Sequence, residues 1–131
     1  MNFTIFGLSV AIFLGSAHLA DRTTNDVVAL VSHEPTTSIS EFHALKNMDR
    51  AILTWTIDKN VGASSVAVER SANNKDFTMV ALVFCSEETG ASNYNYTDRL
   101  KGKNYYYRLK LIAKDGTTTY SNPVMPQQAA E

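Results

Sequence analysis

Residues 50–57 read RAILTWTI. Ala51, Leu53, Trp55 and Ile57 fall on one side of an extended chain, and Thr54 and Thr56 on the other. Successive side chains of a strand point to opposite faces, so this run is a strand with one buried face. The same beat recurs along the chain. In SVAVER, at 65–70, Val66 and Val68 turn inward and Ala67 and Glu69 outward. In NYYYRLKLIA, at 104–113, Tyr105, Tyr107, Leu109 and Leu111 share one face, and Tyr106, Arg108, Lys110 and Ile112 the other. Turn-forming clusters separate the runs: KNMD, DKNVGASS, SANNKD, SEETGAS and KDG. Strands are expected at 39–45, 50–57, 65–70, 77–85, 93–98, 104–113 and 117–121. Short alternating runs spaced by turns are the mark of an antiparallel β-sandwich, here of seven strands. The run at 77–85 is apolar on both faces, which leaves its register open.

A sandwich needs a core, and this chain cannot staple one. It has one cysteine, Cys85, so no internal disulfide and no thiolate zinc site can form from the chain alone. With 44% hydrophobic residues among 131, burial can carry the stability of one domain. Twelve Lys and Arg against 13 Asp and Glu give a net charge of −1, which draws the chain neither to nucleic acid nor to anionic membrane.

The first twenty residues, MNFTIFGLSVAIFLGSAHLA, carry no charged side chain. The apolar stretch has the length of a signal-peptide core and is short for a membrane span. Small residues follow, and cleavage is expected after Ala17 or Ala20. The chain is therefore expected to be exported, to the periplasm, the cell surface or the medium, with no stable membrane insertion once the leader is removed. Residues 21–36 read as a linker with room for one extra edge strand at 27–31, residues 37–124 as the sandwich and 125–131 as a flexible tail.

The segments EFHALKNMDRAILTWT, VAVERSANNKDF, YNYTD, YYYRLK and DGTTTYS, in this order, resemble a fibronectin type III-like domain. The version they are most similar to is common in exported and surface proteins of gliding and gut gram-negative bacteria. The resemblance spans about residues 40–122. It implies an immunoglobulin-like sandwich in which strand 104–113 lies beside strand 65–70. It also implies that Tyr105 occupies the place of a tyrosine that hydrogen-bonds backbone at a corner of such folds. Asn73-Asn74 stands where that family usually has Asp-Gly, which preserves the turn chemistry.

Parity then sorts the candidate residues. Leu53, Trp55, Val66, Val68, Tyr105, Tyr107, Leu109 and Leu111 are expected in the core, where each aromatic ring removes a large apolar area from water. Tyr106, Arg108 and Lys110, with Glu69 across from Arg108, form the candidate partner-binding face. Arg70 lies at a strand end on the inward side, where it either snorkels to the sandwich edge or pairs with Asp98 or Glu41. His33 and His43 have no ligand spacing, and Asp76, Asp98 and Asp115 sit beside turns, so no metal or other cofactor is expected. Cys85 ends an apolar run without an activating neighbour and reads as a buried, inert thiol. No nucleophile elbow, phosphate loop or zinc-protease histidine pair is present in the sequence. The expectation is a non-catalytic module that binds a protein or glycan through its loops at 58–64, 86–92 and 99–103, a sheet face or a sheet edge. A carbohydrate-binding domain using Tyr106 is the alternative, and a small hydrolase the second.

Overall fold

The structure, a computed structural model, describes residues 36–130. The expected leader, and the expected linker up to residue 35, lie outside the described residues. Eight strands are present: β1 Ile39–Asn47, β2 Arg50–Ile57, β3 Ala63–Ser71, β4 Thr78–Phe84, β5 Ser92–Arg99, β6 Tyr106–Ala113, β7 Thr118–Tyr120 and β8 Gln127–Gln128. They form two four-stranded sheets, β5-β2-β1-β8 and β4-β3-β6-β7, which makes the domain a β-sandwich. Every ladder is antiparallel except the short one between β1 and β8. β8 lies in the tail expected to be flexible, pairing Leu45 with Gln127 and Lys46 with Gln128.

The core follows the two-residue period. Ala51, Leu53, Trp55 and Ile57 of β2 face Val66 and Val68 of β3 and Tyr107, Leu109 and Leu111 of β6, all nearly or fully buried. Trp55 stacks on Tyr94 of β5 with centroids 6.1 Å apart. Its indole Nε1 is buried without a partner among the described residues. Tyr105, expected with this set, precedes β6 and is only half-buried. Its ring meets Tyr107 edge-on at 6.5 Å. The hydroxyl bonded on this strand is that of Tyr107, and its acceptor is a side chain, Asp98, not backbone.

Parity fails at two instructive places. Ala67 points outward yet is 2% exposed, because Leu82 and Lys110, its neighbours in register on β4 and β6, flank it. On β4 a bulge at Val80 shifts the register between Val68 and Glu69. Val80, Ala81, Val83 and Cys85 pack against the core, while Met79, Leu82 and Phe84 stay exposed.

Side chains fix the turns. Asn74 takes a left-handed φ of 61°, which asparagine tolerates better than most residues. Asn73 instead accepts the amides of Lys75 and Asp76 on its Oδ1, each at 2.9 Å. Gly116 closes the β6–β7 hairpin at φ 91°. At the start of β1, Asp58 accepts hydrogen bonds from Ser40 (2.7 Å) and Ser38 (2.9 Å), which hold its carboxyl below the usual range.

Candidate functional site: the outer face of the β4-β3-β6-β7 sheet

The register lays the outward side chains of this sheet in three rows. Phe84, Ser65, Ile112 and Thr118 form the first, and Leu82, Ala67, Lys110 and Tyr120 the second. Met79, Glu69 and Arg108 form the third. Phe84 is 73% exposed and Met79 57%, so the β4 side of the face is an open apolar strip. Tyr120, at 48%, continues the exposed apolar surface on the far side.

Between them lies a cationic seam. The structure places Glu69 opposite Arg108, with Arg108 Nε donating to Glu69 Oε2 at 2.7 Å. The guanidinium carbon stands 4.1 Å from the centroid of the Phe77 ring and 4.3 Å from that of Tyr120. Each contact is worth about 0.5–1 kcal/mol at an exposed site. Arg108 is thus clamped by two rings and a carboxylate. Lys110 Nζ lies 5.8 Å from the Tyr120 ring and has no ion-pair partner among the described residues. Tyr106 is half-buried at the end of the same face, opposite Ser71.

Of the expected trio, Lys110 keeps an available charge, Arg108 is committed to its neighbours and Tyr106 is no open platform. Sequence reasoning missed Phe77, Met79, Leu82, Phe84 and Tyr120. The run at 77–85 hid its outward residues because both faces are apolar, and Tyr120 reaches Arg108 only through the β6–β7 pairing.

Elsewhere, Arg70 is bound to Asp98 at 2.6 Å, not to Glu41, and Tyr107 donates to the same Asp98 oxygen at 2.7 Å. Arg70 also lies 4.3 Å above the Tyr105 ring. β3 and β6 belong to one sheet and β5 to the other, so this knot ties the two layers together. A second knot centres on buried Asn60. It accepts from the Tyr94 hydroxyl (2.6 Å) and donates to the Ser86 carbonyl and hydroxyl, joining the loops after β2 and β4. Cys85, next to it, is partly buried, and burial pushes its thiol up despite a hydrogen bond with Tyr94.

The outer face of the other sheet carries a shallow depression lined by Glu41, His43, Thr54, Thr56, Asn93 and Asn95. Thr56 Oγ1 lies 3.2 Å from Glu41 Oε2 and 2.8 Å from Asn93 Oδ1. Glu41 holds a left-handed φ of 54° within the irregular stretch of β1 between Ser40 and His43. Among the described residues, no group of three or more His, Cys, Asp or Glu is placed to hold a metal ion.

No family model and no curated protein matches the chain. Among solved structures, it is similar to wild-type OgpA from Akkermansia muciniphila, with a TM-score of 0.50 at 12% identity. The match covers 72% of this chain and 29% of that one, so the chain spans less than a third of OgpA's length. At this identity the likeness is one of fold.

Proposed function

We propose that this chain is an exported, non-catalytic module of the fibronectin type III-like, immunoglobulin-like kind, serving protein interaction, adhesion or structural support at the cell envelope or outside the cell. One observation carries the interaction reading: the exposed strip of Met79, Leu82 and Phe84 beside Lys110 and Tyr120. Contiguous exposed apolar side chains rimmed by polar ones are the usual form of a protein-binding patch. The aromatic clamp on Arg108 makes the centre of the face rigid, so little side-chain entropy is lost on binding. Strand order supports the family reading, with β1, β2 and β5 in one layer and β4, β3, β6 and β7 in the other. In that reading β1–β7 are the seven-stranded core and β8 is an addition.

A carbohydrate ligand is the second reading. The depression lined by Glu41, His43, Asn93 and Asn95 favours it, since carboxylate and carboxamide groups together suit vicinal hydroxyls. The two readings separate in one experiment. The immobilised protein is exposed to envelope extract, beside variants Leu82→Ser and Phe84→Ser, and bound material is identified by mass spectrometry and sugar analysis. The interaction reading expects a protein captured by the wild type and lost by both variants. Polysaccharide without protein, or a protein retained equally by the variants, overturns it.

A further inference from the structure

A β-sandwich has four sheet edges, and here three of them are blunted. β8 has two residues and β7 three. β4 is broken by the bulge at Val80. These are recognised ways of preventing one sheet from adding to another. The fourth edge, β5, has none of them. All eight of its residues, Ser92–Arg99, pair with β2 in unbroken register. It contains no proline or lysine, and its one inward charge, Asp98, is neutralised by Arg70 at 2.6 Å. Among the described residues no strand pairs with its other side.

The hydrogen-bonding groups on that open side can be assigned. Leu100 N–H bonds the Asp49 carbonyl at 2.8 Å, one step beyond the pair Arg99–Arg50. Antiparallel ladders alternate between bonded and non-bonded pairs. Asp98, Tyr96 and Tyr94 therefore bond β2, and the backbone groups of Asn93, Asn95, Thr97 and Arg99 point outward.

Asn95 is flanked by Tyr94 and Tyr96, and beyond them by the polar pairs Asn93/Thr97 and Ser92/Asp98. We propose that β5 pairs antiparallel with β5 of a second copy about a two-fold axis through Asn95, joining two sandwiches through one continuous sheet. In this register Asn95 meets its own copy, and Asn93 meets Thr97 of the other chain. These are the residues whose backbone groups are open, so about six ladder bonds form. Tyr94 falls opposite Tyr96 of the other chain at a non-bonded pair, where side chains approach most closely. No like charges face each other, because Arg99 meets Ala91. Several registers bring outward-bonding residues face to face, and the axis through Asn95 is the one that also sets Tyr94 against Tyr96. The apolar strip on β4 takes no part, so this pairing stands or falls apart from the proposed partner face.

The test is the molar mass of the purified protein by sedimentation equilibrium over a hundredfold concentration range, with amide exchange read in parallel. The wild type is expected to approach twice the chain mass of 14.5 kDa. Exchange at Asn93, Asn95 and Thr97 is expected to slow as concentration rises. Asn95→Pro removes an N–H that bonds nothing within the chain, and the preceding residue is already extended. Asn95→Lys sets like charges together on the axis. Each should raise the dissociation constant by about thirtyfold or more, through two lost bonds or direct repulsion, with the Trp55 emission of the folded domain unchanged. A wild type that stays monomeric overturns the proposal. So does a dimer that survives both substitutions, or protection of these amides that is independent of concentration. If Asn95→Pro fails to fold, Asn95→Lys alone decides.

Discussion

Replacing Asp98 with alanine cuts the knot between the two layers. Asp98 is 9% exposed and accepts two hydrogen bonds on one oxygen, from Arg70 and from Tyr107. A hydrogen bond to a charged group contributes about 1.5–3 kcal/mol net. The two losses are unequal in kind. The Arg70 side chain is 30% exposed and can turn to water, so its share falls toward the exposed ion-pair range of about 1 kcal/mol or less. Tyr107 is fully buried, so its hydroxyl is left unsatisfied at about 1–3 kcal/mol. The expected cost of Asp98→Ala is about 3 kcal/mol. Asp98→Asn keeps an acceptor for the hydroxyl and should cost less than half as much. Tyr107→Phe leaves the carboxylate paired with Arg70 and should cost about 1 kcal/mol. Combined with Asp98→Ala, the same substitution should cost nothing further, since it removes the orphaned hydroxyl. Urea unfolding followed by the single tryptophan reads all four proteins, with equal m-values as the check on two-state behaviour. An Asp98→Ala loss below 1 kcal/mol, or strict additivity of the two substitutions, would refute the assignment of this knot as the tie between layers.

Other outcomes follow from the same structure. Burial, and then the hydrogen bond to Asp98, raise the Tyr107 phenol far above its ordinary value. Its stabilising contribution is therefore full below pH about 10 and is lost as pH rises from there through the folded value. The alkaline unfolding limb of Tyr107→Phe should be shallower than that of the wild type, and identical limbs would contradict it. Trp55→Phe removes a donor that has no partner, so it should cost under about 2 kcal/mol against about 3–5 for Trp55→Ala; thermal unfolding gives the comparison. The raised Cys85 thiol should react with a disulfide reagent at pH 8 more slowly than free cysteine, and its rate should recover in urea.

Much of this architecture could be read from residue order because two-residue alternation carries burial directly. β2, β3 and β6 show it plainly: Leu53, Trp55, Val66, Val68, Tyr107, Leu109 and Leu111 all lie where parity puts them. Alternation has no content where both faces are apolar, which is why β4 hid the apolar strip until the bulge at Val80 and the pairing to β3 were known. It is equally silent on contacts between layers. Asp98 and Glu41 were equivalent partners for Arg70 along the chain, and only the placement of β5 against β3 distinguishes them. Tyr105 shares parity with Tyr107, but it lies before the strand and covers the edge of the core. β8 has no pattern of its own; Gln127 and Gln128 become a strand because β1 has an open side there.

The parallel pairing of β8 with β1 also sets how the domain bears tension. A pull applied at Thr36 and at Ala130 draws two parallel neighbours past each other, so their hydrogen bonds share the load and do not open one at a time. The bond from Ala129 N–H to the Lys46 carbonyl belongs to this junction. Behind it stands the reciprocal pair between Tyr107 and Val124, with both bonds at 2.8 Å. A force that shears β8 off β1 therefore meets next a clasp anchored on β6, at a residue buried in the core. The short tail acts as a mechanical fuse, yielding two residue pairs before the sandwich itself is strained.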